Sequence, residues 1–426
     1  MFLQLATLRS VRWILILPVL IAATLATPAQ ADVLTLRDAL AAAQKQYPDL
    51  QAFPFRVQAA EAVRGQAALR PAPELSLGFE NFAGSGAYRG IDGAEATLSL
   101  SQAFELGGKR DARIAVADAR IAGLDAERNV AQLDVMAEVT RRFIDVVELQ
   151  ELLQLAVRGT QLAERTVSNT QRRVQAAKAP HVEIDRATVG LSQARLQQSQ
   201  LESRLDTARQ SLSAMWGRDD GTLNGQPISK VAGDIFQLPK RSDYRGLLDR
   251  LAMSPDFLRY ASDERLRDAE LRLAATRSRS NWTLGGGIRR LRETDDTALI
   301  ASLSVPLFSG RRAESYVAEA RAERERVGIE REAALVKAKA QLHALHRALG
   351  DACTVVETLE STAMPRLDEA LRETEYAFAR GRYGYLELID AQREYLGIQR
   401  TRIEAGATAQ RLAAEIERLT NAPLAP

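Results

Sequence analysis

Two histidines and one cysteine are the residues of this chain best suited to bind a metal ion. His343 and His346 lie three positions apart, which puts both imidazoles on one face of a helix, and Cys353 follows two turns later. If a metal ion moved along the chain, these side chains could contact it in transit. No array of carboxylates accompanies them, and the alternative is a pair of surface or seam histidines. The sequence therefore gives no firm metal site.

Groups for covalent catalysis are scarce. The chain has three histidines, and no Ser-His-Asp arrangement, Cys-His pair or acid couple occurs in a segment that would form a pocket. Gly285 to Gly287 resemble a phosphate loop, but no buried parallel strand precedes them and no Lys-Ser or Lys-Thr follows. Close packing of strands explains these glycines better. We predict no enzymatic activity, no catalytic residue and no cofactor.

The composition favours long helices. Of 426 residues, 46% are hydrophobic, 26% are charged and 5% are aromatic, with 57 Lys and Arg against 55 Asp and Glu. This near balance of interspersed charges gives no nucleic-acid footprint. Ala, Leu, Arg, Glu and Gln dominate long stretches, as in helices that pack along a seam.

The first 31 residues have the pattern of a secretory signal. Arg9 and Arg12 precede the apolar segment Trp13 to Ala26, and Ala29 to Ala31 form a small-residue cleavage site. The predicted mature chain begins at Asp32. A membrane anchor is the alternative, but Pro18 interrupts a run that is short for spanning. Since Cys353 is the single cysteine, we predict no disulfide and no lipid attached after the signal.

One pattern runs through the chain twice, at a separation of roughly 205 residues. The segment from Tyr47 to Asp49 has its counterpart at Ser254 to Asp256, and Leu106 to Arg110 has its counterpart at Phe308 to Arg312. Gly, Pro and Asp replace the helical pattern where the halves meet. We predict a first repeat over 32–217, a linker or equatorial segment over 218–243, and a second repeat over 244–426.

Each repeat contains a very long helix. No proline occurs from Gly108 to Lys178, and a helix over that segment would reach about 100 Å at 1.5 Å per residue. Pro180 predicts a turn into a second helix that ends near Trp216. In the second half, Pro365 predicts a kink and the Gly381 to Gly384 segment predicts the turn.

Each repeat also contains two segments with alternating polarity, which predict strands with one apolar face. The predicted strands are Glu74 to Phe82, Glu95 to Ser101, Asn281 to Leu291 and Leu299 to Val305. With their flanks they approach the 9 to 11 residues that a tilted strand needs to cross a bilayer. A soluble four-stranded sheet is the alternative.

Four strands cannot close into a barrel, and a sheet in lipid must close to satisfy its backbone groups. Several copies must therefore each contribute four strands. Rods that extend far beyond the sheet also need neighbouring helices to cover their apolar faces. The pattern predicts an oligomeric tube that stands on one membrane and extends toward another.

These segments resemble the TolC family of outer-membrane efflux proteins over essentially the whole mature chain. Arg70 to Ser76 (RPAPELS) and Gln102 to Arg110 (QAFELGGKR) resemble its CzcC-type, heavy-metal branch. The resemblance implies a mainly helical fold with a small β part. Three protomers would form an α-helical barrel in the periplasm and a 12-stranded β-barrel in outer-membrane lipid. It also implies two partners, a periplasmic adaptor and an inner-membrane pump of the RND type.

The resemblance implies a function for the helical turns over 179–185 and 381–390. The family's aperture acids match Glu387 and Asp390, and Glu183 and Asp185 lie at the related place in the first repeat. Three-fold symmetry would make each inward-facing acid a ring that favours cations. The alternative is that the acids pair with Arg186, Arg382 or Arg393 on a solvated surface. The turn residues expected to contact the adaptor are Pro180, His181, Gly381, Arg382, Tyr383 and Gly384.

One departure concerns how the aperture is held shut. Tyr383 occupies a position where the family often has a basic residue, with Arg382 one place earlier. The resemblance predicts a passive duct in a Gram-negative outer membrane, with divalent heavy-metal cations as the expected cargo. Three alternatives stay open: a duct for drugs or other organic solutes, a type I secretion duct, and a structural helical envelope protein without a pore.

Overall fold

The protein is described by a computed structural model that covers residues 33–240 and 243–423. The predicted secretory signal over residues 1–31 lies outside these ranges. In the described part, the helices are α1 Leu36–Gln46, α2 Pro48–Ala67, α3 Lys109–Gln175, α4 Val182–Ser213, α5 Tyr244–Ala252, α6 Pro255–Thr276, α7 Ser309–Thr358, α8 Met364–Ala379 and α9 Tyr385–Thr420. The strands are β1 Leu34–Thr35, β2 Glu74–Glu80, β3 Glu95–Phe104, β4 Thr222–Leu223, β5 Gln226–Pro227, β6 Val231–Ala232, β7 Trp282–Leu291 and β8 Asp296–Ser304.

The long helix of the first half is confirmed as α3. Its 67 residues span about 100 Å at 1.5 Å per residue. Gly107 and Gly108 have φ of 77° and 72°, a left-handed conformation that lets the chain turn sharply from β3 into the helix. The helix ends three residues before Lys178, and Ala177 is left-handed with φ of 55°.

The long helix of the second half is interrupted. Between α7 and α8 lies a π-helical turn, Leu359–Ala363, and Pro365 follows in the first turn of α8. Pro365 lacks the N–H that a continuous helix would use, which agrees with the kink predicted there. Glu360 in this turn accepts a hydrogen bond from Arg402 Nε of α9 at 3.0 Å.

A four-stranded antiparallel sheet has the order β2-β3-β7-β8, so the two hairpins pair through β3 and β7. The strands confirm the predicted segments with shifted ends. The strand β2 stops at Glu80 because Asn81 is left-handed, with φ of 55°. By contrast, β3 runs on to Phe104 because it stays paired with β7, whose Trp282 lies opposite.

The register gives the sheet two chemically different faces. Leu77, Leu98, Ile288 and Leu299 lie side by side in one row across the four strands. The neighbouring row on the opposite face is Ser76, Ser99, Gly287 and Ile300. Other exposed residues of the apolar face are Leu75, Phe79, Leu100, Trp282, Leu284 and Leu303. One face is therefore apolar and exposed, and the other carries mainly small and polar side chains.

Glycine in β7 permits this close strand packing. A methyl group on Gly287 would overlap the Leu98 carbonyl oxygen of β3, and one on Gly285 would overlap the Ser302 hydroxyl of β8. The Gly285 to Gly287 segment is thus part of the sheet, in agreement with the interpretation made from its sequence.

Three hydrophobic clusters stabilise the helical part. One joins α1, α3 and α4 to the segment that follows α4, and it includes Val139, Phe143 and Trp216. A second joins α5, α6, α7 and α9, and it includes Leu251, Leu342 and Ile416. The third is small and lies at the helical turns. No helix in the described ranges is both long and apolar enough to cross a membrane.

The predicted linker packs against the middle of α9. Phe236 lies under the Arg402 guanidinium, 3.7 Å from ring centroid to Cζ, and Gln410 Nε2 donates to the Gln237 carbonyl at 2.8 Å. The boundaries predicted near residues 217 and 244 stay predictions.

Gly406 of α9 allows the linker to pack this closely, because it has no side chain. A Cβ on Gly406 would lie 2.9 Å from the Ile235 carbonyl oxygen, so we expect Gly406→Ala to lower the unfolding free energy by about 1–3 kcal/mol through overpacking. Gly397→Ala in the same helix is the control, because nothing lies within 4 Å of its Cβ position and alanine favours a helix over glycine. Denaturant unfolding in detergent measures both. Equal effects would contradict the packing argument.

Candidate functional site

The two helical turns have similar backbone geometry. After α3, Lys178 N donates to the Arg173 carbonyl at 2.8 Å, and after α8, Arg382 N donates to the Ala377 carbonyl at 2.9 Å. Gly381 has φ of 77°, which a residue with a side chain adopts with strain. Pro180 precedes α4 and Gly384 is the N-cap of α9. Each turn therefore closes one antiparallel hairpin of long helices.

A small apolar cluster holds the two hairpins together at this end. Ala187 of α4 packs with Phe378 of α8 and with Tyr385 and Leu388 of α9, all of them buried. Burial raises the pKa of the Tyr385 phenol, although Arg393 and Arg186 lie nearby and oppose the shift. The phenol therefore stays neutral at ordinary pH.

Arg173 makes polar contacts between the two hairpins at this end. Its Nη1 donates to the Tyr383 carbonyl at 3.2 Å and to the Phe378 carbonyl at 3.5 Å. Its guanidinium also lies over the Phe378 ring, 4.3 Å from the centroid. One side chain of α3 thus holds the end of α8 and the turn that follows it.

A second link between the same two hairpins joins α3 to α9. Gln392 of α9 donates from Nε2 to Thr166 Oγ1 of α3 at 3.2 Å, in buried surroundings. Together with Arg173 it fixes the second hairpin against the first.

Two of the four predicted aperture acids line the same groove. Asp185 of α4 and Asp390 of α9 face it together with Arg186 and Arg393. The groove lies between α4 and α9, with α3 as its floor, and its volume is about 1180 Å³. Apolar side chains form much of its wall, including Leu152, Leu196 and Leu396.

The other two predicted acids lie outside the groove. Glu387 is exposed on the first turn of α9. Glu183 is partly buried, and its Oε2 has neither solvent access nor a hydrogen-bond partner. The structure thus joins one acid from each hairpin and separates the remaining two from them.

Ion pairing at the acids is weak. Asp390 Oδ1 lies 4.0 Å from Arg393 Nη1, and both side chains are 78% exposed. Asp185 Oδ2 lies 3.7 Å from His181 Nδ1, and these side chains are also mostly exposed. Exposed pairs of this kind contribute about 0–1 kcal/mol. Of the alternative arginine partners considered above, Arg393 contacts an acid, at the limit of an ion pair.

The predicted turn residues lie where an approaching protein could reach them. Pro180, His181, Gly381, Arg382 and Tyr383 are exposed, while Gly384 is partly buried.

His343 and His346 lie together on α7, in contact with one aromatic ring. Their ring centroids are 5.6 Å and 5.4 Å from that of Tyr244. Cys353 is buried in the second hydrophobic cluster. In residues 33–240 and 243–423, no group of three or more His, Cys, Asp or Glu side chains could hold a metal ion. Both histidine rings thus pack against Tyr244, and their weak candidacy as metal ligands stays a prediction.

Arg173 is the residue of this site that the sequence did not single out. It lies in the last turn of α3, where a basic side chain is commonly explained by the helix dipole. Its position 205 residues before Phe378 matches the separation of the predicted repeats, but that coincidence does not predict a contact.

The sequence of this chain is similar to those of known efflux and metal-resistance proteins. Residues 26–218 match the model of a family described as outer membrane efflux protein. The chain is 26% identical over 390 residues to the cobalt-zinc-cadmium resistance protein CzcC of Cupriavidus metallidurans, and the match covers 90% of each protein. It is 25% identical over 264 residues to the nickel and cobalt resistance protein CnrC of the same species, which covers 62% of this chain and 60% of CnrC.

Solved structures agree on the fold. The outer membrane protein VceC of Vibrio cholerae superposes with a TM-score of 0.70 at 18% identity, covering 92% of this chain and 97% of VceC. CusC superposes with a TM-score of 0.71 at 14% identity, covering 90% of this chain and 91% of CusC. The predicted fold, long helical hairpins with a small β part, is confirmed.

Proposed function

We propose that this chain, a member of the TolC family of outer-membrane efflux proteins, is the duct of a three-part system that exports divalent heavy-metal cations. The chain is an outer-membrane efflux channel of a Gram-negative bacterium and not an enzyme.

One observation supports the duct above all others. A four-stranded sheet with an open apolar face continues directly into a helix of about 100 Å at 1.5 Å per residue. The apolar face suits lipid, and the unpaired edges of β2 and β8 suit pairing with further copies. Three copies would supply the 12 strands of a barrel, and their helices would enclose a tunnel. The observation therefore favours a conduit over a structural helical protein.

The cargo is inferred from the relatives and from charge. CzcC and CnrC are named for resistance to cobalt, zinc, cadmium and nickel. Asp185 and Asp390 are exposed, weakly paired and close to the turns. In a three-fold assembly they would form rings that attract cations. Organic solutes are the second candidate, because the groove between α4 and α9 has a largely apolar wall.

The partners follow from the position of the turns. An inner-membrane pump would deliver the cation through a periplasmic adaptor, and the adaptor would contact the exposed turns at His181 and at Gly381 to Tyr383. The cation would then cross the tunnel and barrel down its gradient. Pump and adaptor supply the energy and the access, and the duct supplies the route.

Growth of a deletion strain tests the cargo. The panel is zinc, cobalt, cadmium, nickel, copper and silver salts beside dyes and antibiotics, with the intact gene returned on a plasmid. We expect sensitivity to divalent metals alone. Sensitivity to organic compounds alone would assign the duct to drug efflux, and loss of a secreted protein would assign it to type I secretion.

Arg173→Ala gives a prediction about the closed end of the duct. The substitution removes the hydrogen bonds to Phe378 and Tyr383 and the contact with the Phe378 ring. We expect single-channel conductance in planar bilayers to rise about threefold or more, since a net hydrogen bond from a charged group contributes about 1.5–3 kcal/mol. Arg172→Ala is the control, because Arg172 contacts Asn169 within its own helix. Equal conductance in both variants would show that Arg173 does not hold the turns together.

A further inference from the structure

We propose that Arg289 sets the charge at the outer end of the pore by neutralising two lumen-facing carboxylates, Glu80 and Glu95, so that departing cations are not held there. The inference rests on the proposed barrel. It identifies a residue that determines ion selectivity, far from the helical turns.

Arg289 uses all three guanidinium nitrogens in these contacts. Its Nη1 donates to Glu95 Oε2 at 2.7 Å, and its Nε donates to Thr97 Oγ1 at 3.0 Å. Its Nη2 lies 3.1 Å from Glu80 Oε2. The guanidinium thus joins β2, β3 and β7, and we call Glu80, Glu95 and Arg289 the outer charge cluster.

The register places this cluster on the polar face of the sheet. Glu80 lies opposite Glu95, and Thr97 lies opposite Arg289. Alternation continues the same face through Ser99 and Gly287, on the side opposite Leu98 and Ile288. If the apolar face meets lipid, the outer charge cluster faces the lumen.

The cluster also lies at the end of the sheet that is remote from the helices. Glu80 is the last residue of β2 and Glu95 the first of β3, beside the hairpin loop. The long helices α3 and α7 begin at the opposite end. In an outer-membrane duct, the loop end faces the exterior.

Charge at this position affects how easily a cation leaves. The outer charge cluster has two carboxylates and one guanidinium per copy, so the clusters of three copies carry a net charge of −3 with Arg289 and −6 without it. Asp296 lies in the same row of the polar face and adds one negative charge per copy in either case. The next positions on this face, Thr97, Ser99 and Gly287, are uncharged. Conduction requires that binding be weak enough for the ion to depart. A ring of six uncompensated carboxylates would bind a divalent cation at the exit.

Arg290 is a matched control built into the same strand. It lies on the opposite face, half exposed, and its guanidinium contacts Asp295 of the adjoining turn and Thr297 of β8. Removing its charge changes the net charge of the chain by the same amount as removing that of Arg289. The two substitutions differ in the face of the sheet that they change.

The test uses the full-length protein, purified and inserted into planar bilayers. Reversal potentials in a KCl gradient give the ratio of potassium to chloride permeability, and cadmium added on the outer side gives the concentration that halves the current. For Arg289→Gln we expect a permeability ratio about threefold higher and half-block at about tenfold less cadmium. Arg290→Gln should leave both values unchanged.

Further variants separate charge from strand register. The triple variant E80Q/E95Q/R289Q removes both carboxylates together with the guanidinium, so we expect its permeability ratio to lie below that of the unmodified protein and its half-block to need more cadmium. E80Q/E95Q keeps the guanidinium and should have a lower permeability ratio still. An Arg289→Gln variant with unchanged values would overturn the proposal, and so would a triple variant that behaves like Arg289→Gln. If Arg289→Gln does not assemble, E80Q/E95Q decides alone. An unmodified protein without conductance would instead refute the proposed duct.

Discussion

A Leu77→Arg variant is expected to be absent from the outer membrane in assembled form. Leu77 is the central residue of β2 and 64% exposed. Its row on the apolar face continues through Leu98, Ile288 and Leu299. An arginine that faces lipid near the bilayer midplane costs about 2–4 kcal/mol, and the three copies of the proposed barrel would multiply this cost. Membrane fractionation, with crosslinking to detect the oligomer, measures the loss.

Ser76→Arg is the control at nearly the same depth. Ser76 is the neighbouring residue, and its row on the polar face contains Ser99 and Gly287. An arginine here would face water in a lumen, so we expect assembly to survive and conductance to fall. If both variants assembled equally well, the apolar face would not meet lipid and the barrel would be wrong.

Replacing Glu387 and Asp390 together with alanine is expected to reduce cation preference and alter conductance without affecting assembly. Both residues are exposed, and Asp390 lines the groove beside Asp185. Their removal deletes six negative charges from a three-fold assembly, which lowers the local cation concentration by about an order of magnitude in a narrow opening. Reversal potentials of the purified protein measure the preference, and crosslinking measures the assembly.

Asp368→Ala with Glu373→Ala provides the matched control. Both acids are exposed on α8, in the same hairpin but before the turn. The control removes the same charge, so a general effect of net charge would appear in both variants. Unchanged conductance in the Glu387 and Asp390 variant would refute the assignment of these acids to an aperture.

The elements could be predicted because their signals are local. The absence of proline from Gly108 to Lys178 predicts α3, and strict alternation predicts β3 and β7. The ends were less certain because pairing and backbone conformation determine them. The left-handed Asn81 ends β2, and continued pairing with Trp282 extends β3 to Phe104.

The arrangement of the site could not be predicted in the same way. Whether Asp185 and Asp390 share a groove depends on how two hairpins, about 200 residues apart in sequence, pack at their ends. The contact of Arg173 with Phe378 depends on the same packing. The face on which Arg289 lies could be predicted from the sequence, because alternation in β7 puts Arg289 on the face of Gly287. Its partners could not, because they depend on the register of three strands.

The open edges of the sheet affect how a newly made chain reaches its assembled state. Strands β2 and β8 each pair on one side within the protomer, and unpaired edges beside an apolar face template aggregation. In the proposed trimer, a solitary copy must find two others before its open edges pair with a wrong partner, so assembly competes with aggregation. The stability of the finished state then depends on protomer concentration. For the proposed trimer we therefore expect slow assembly at low synthesis and more aggregation at rapid synthesis.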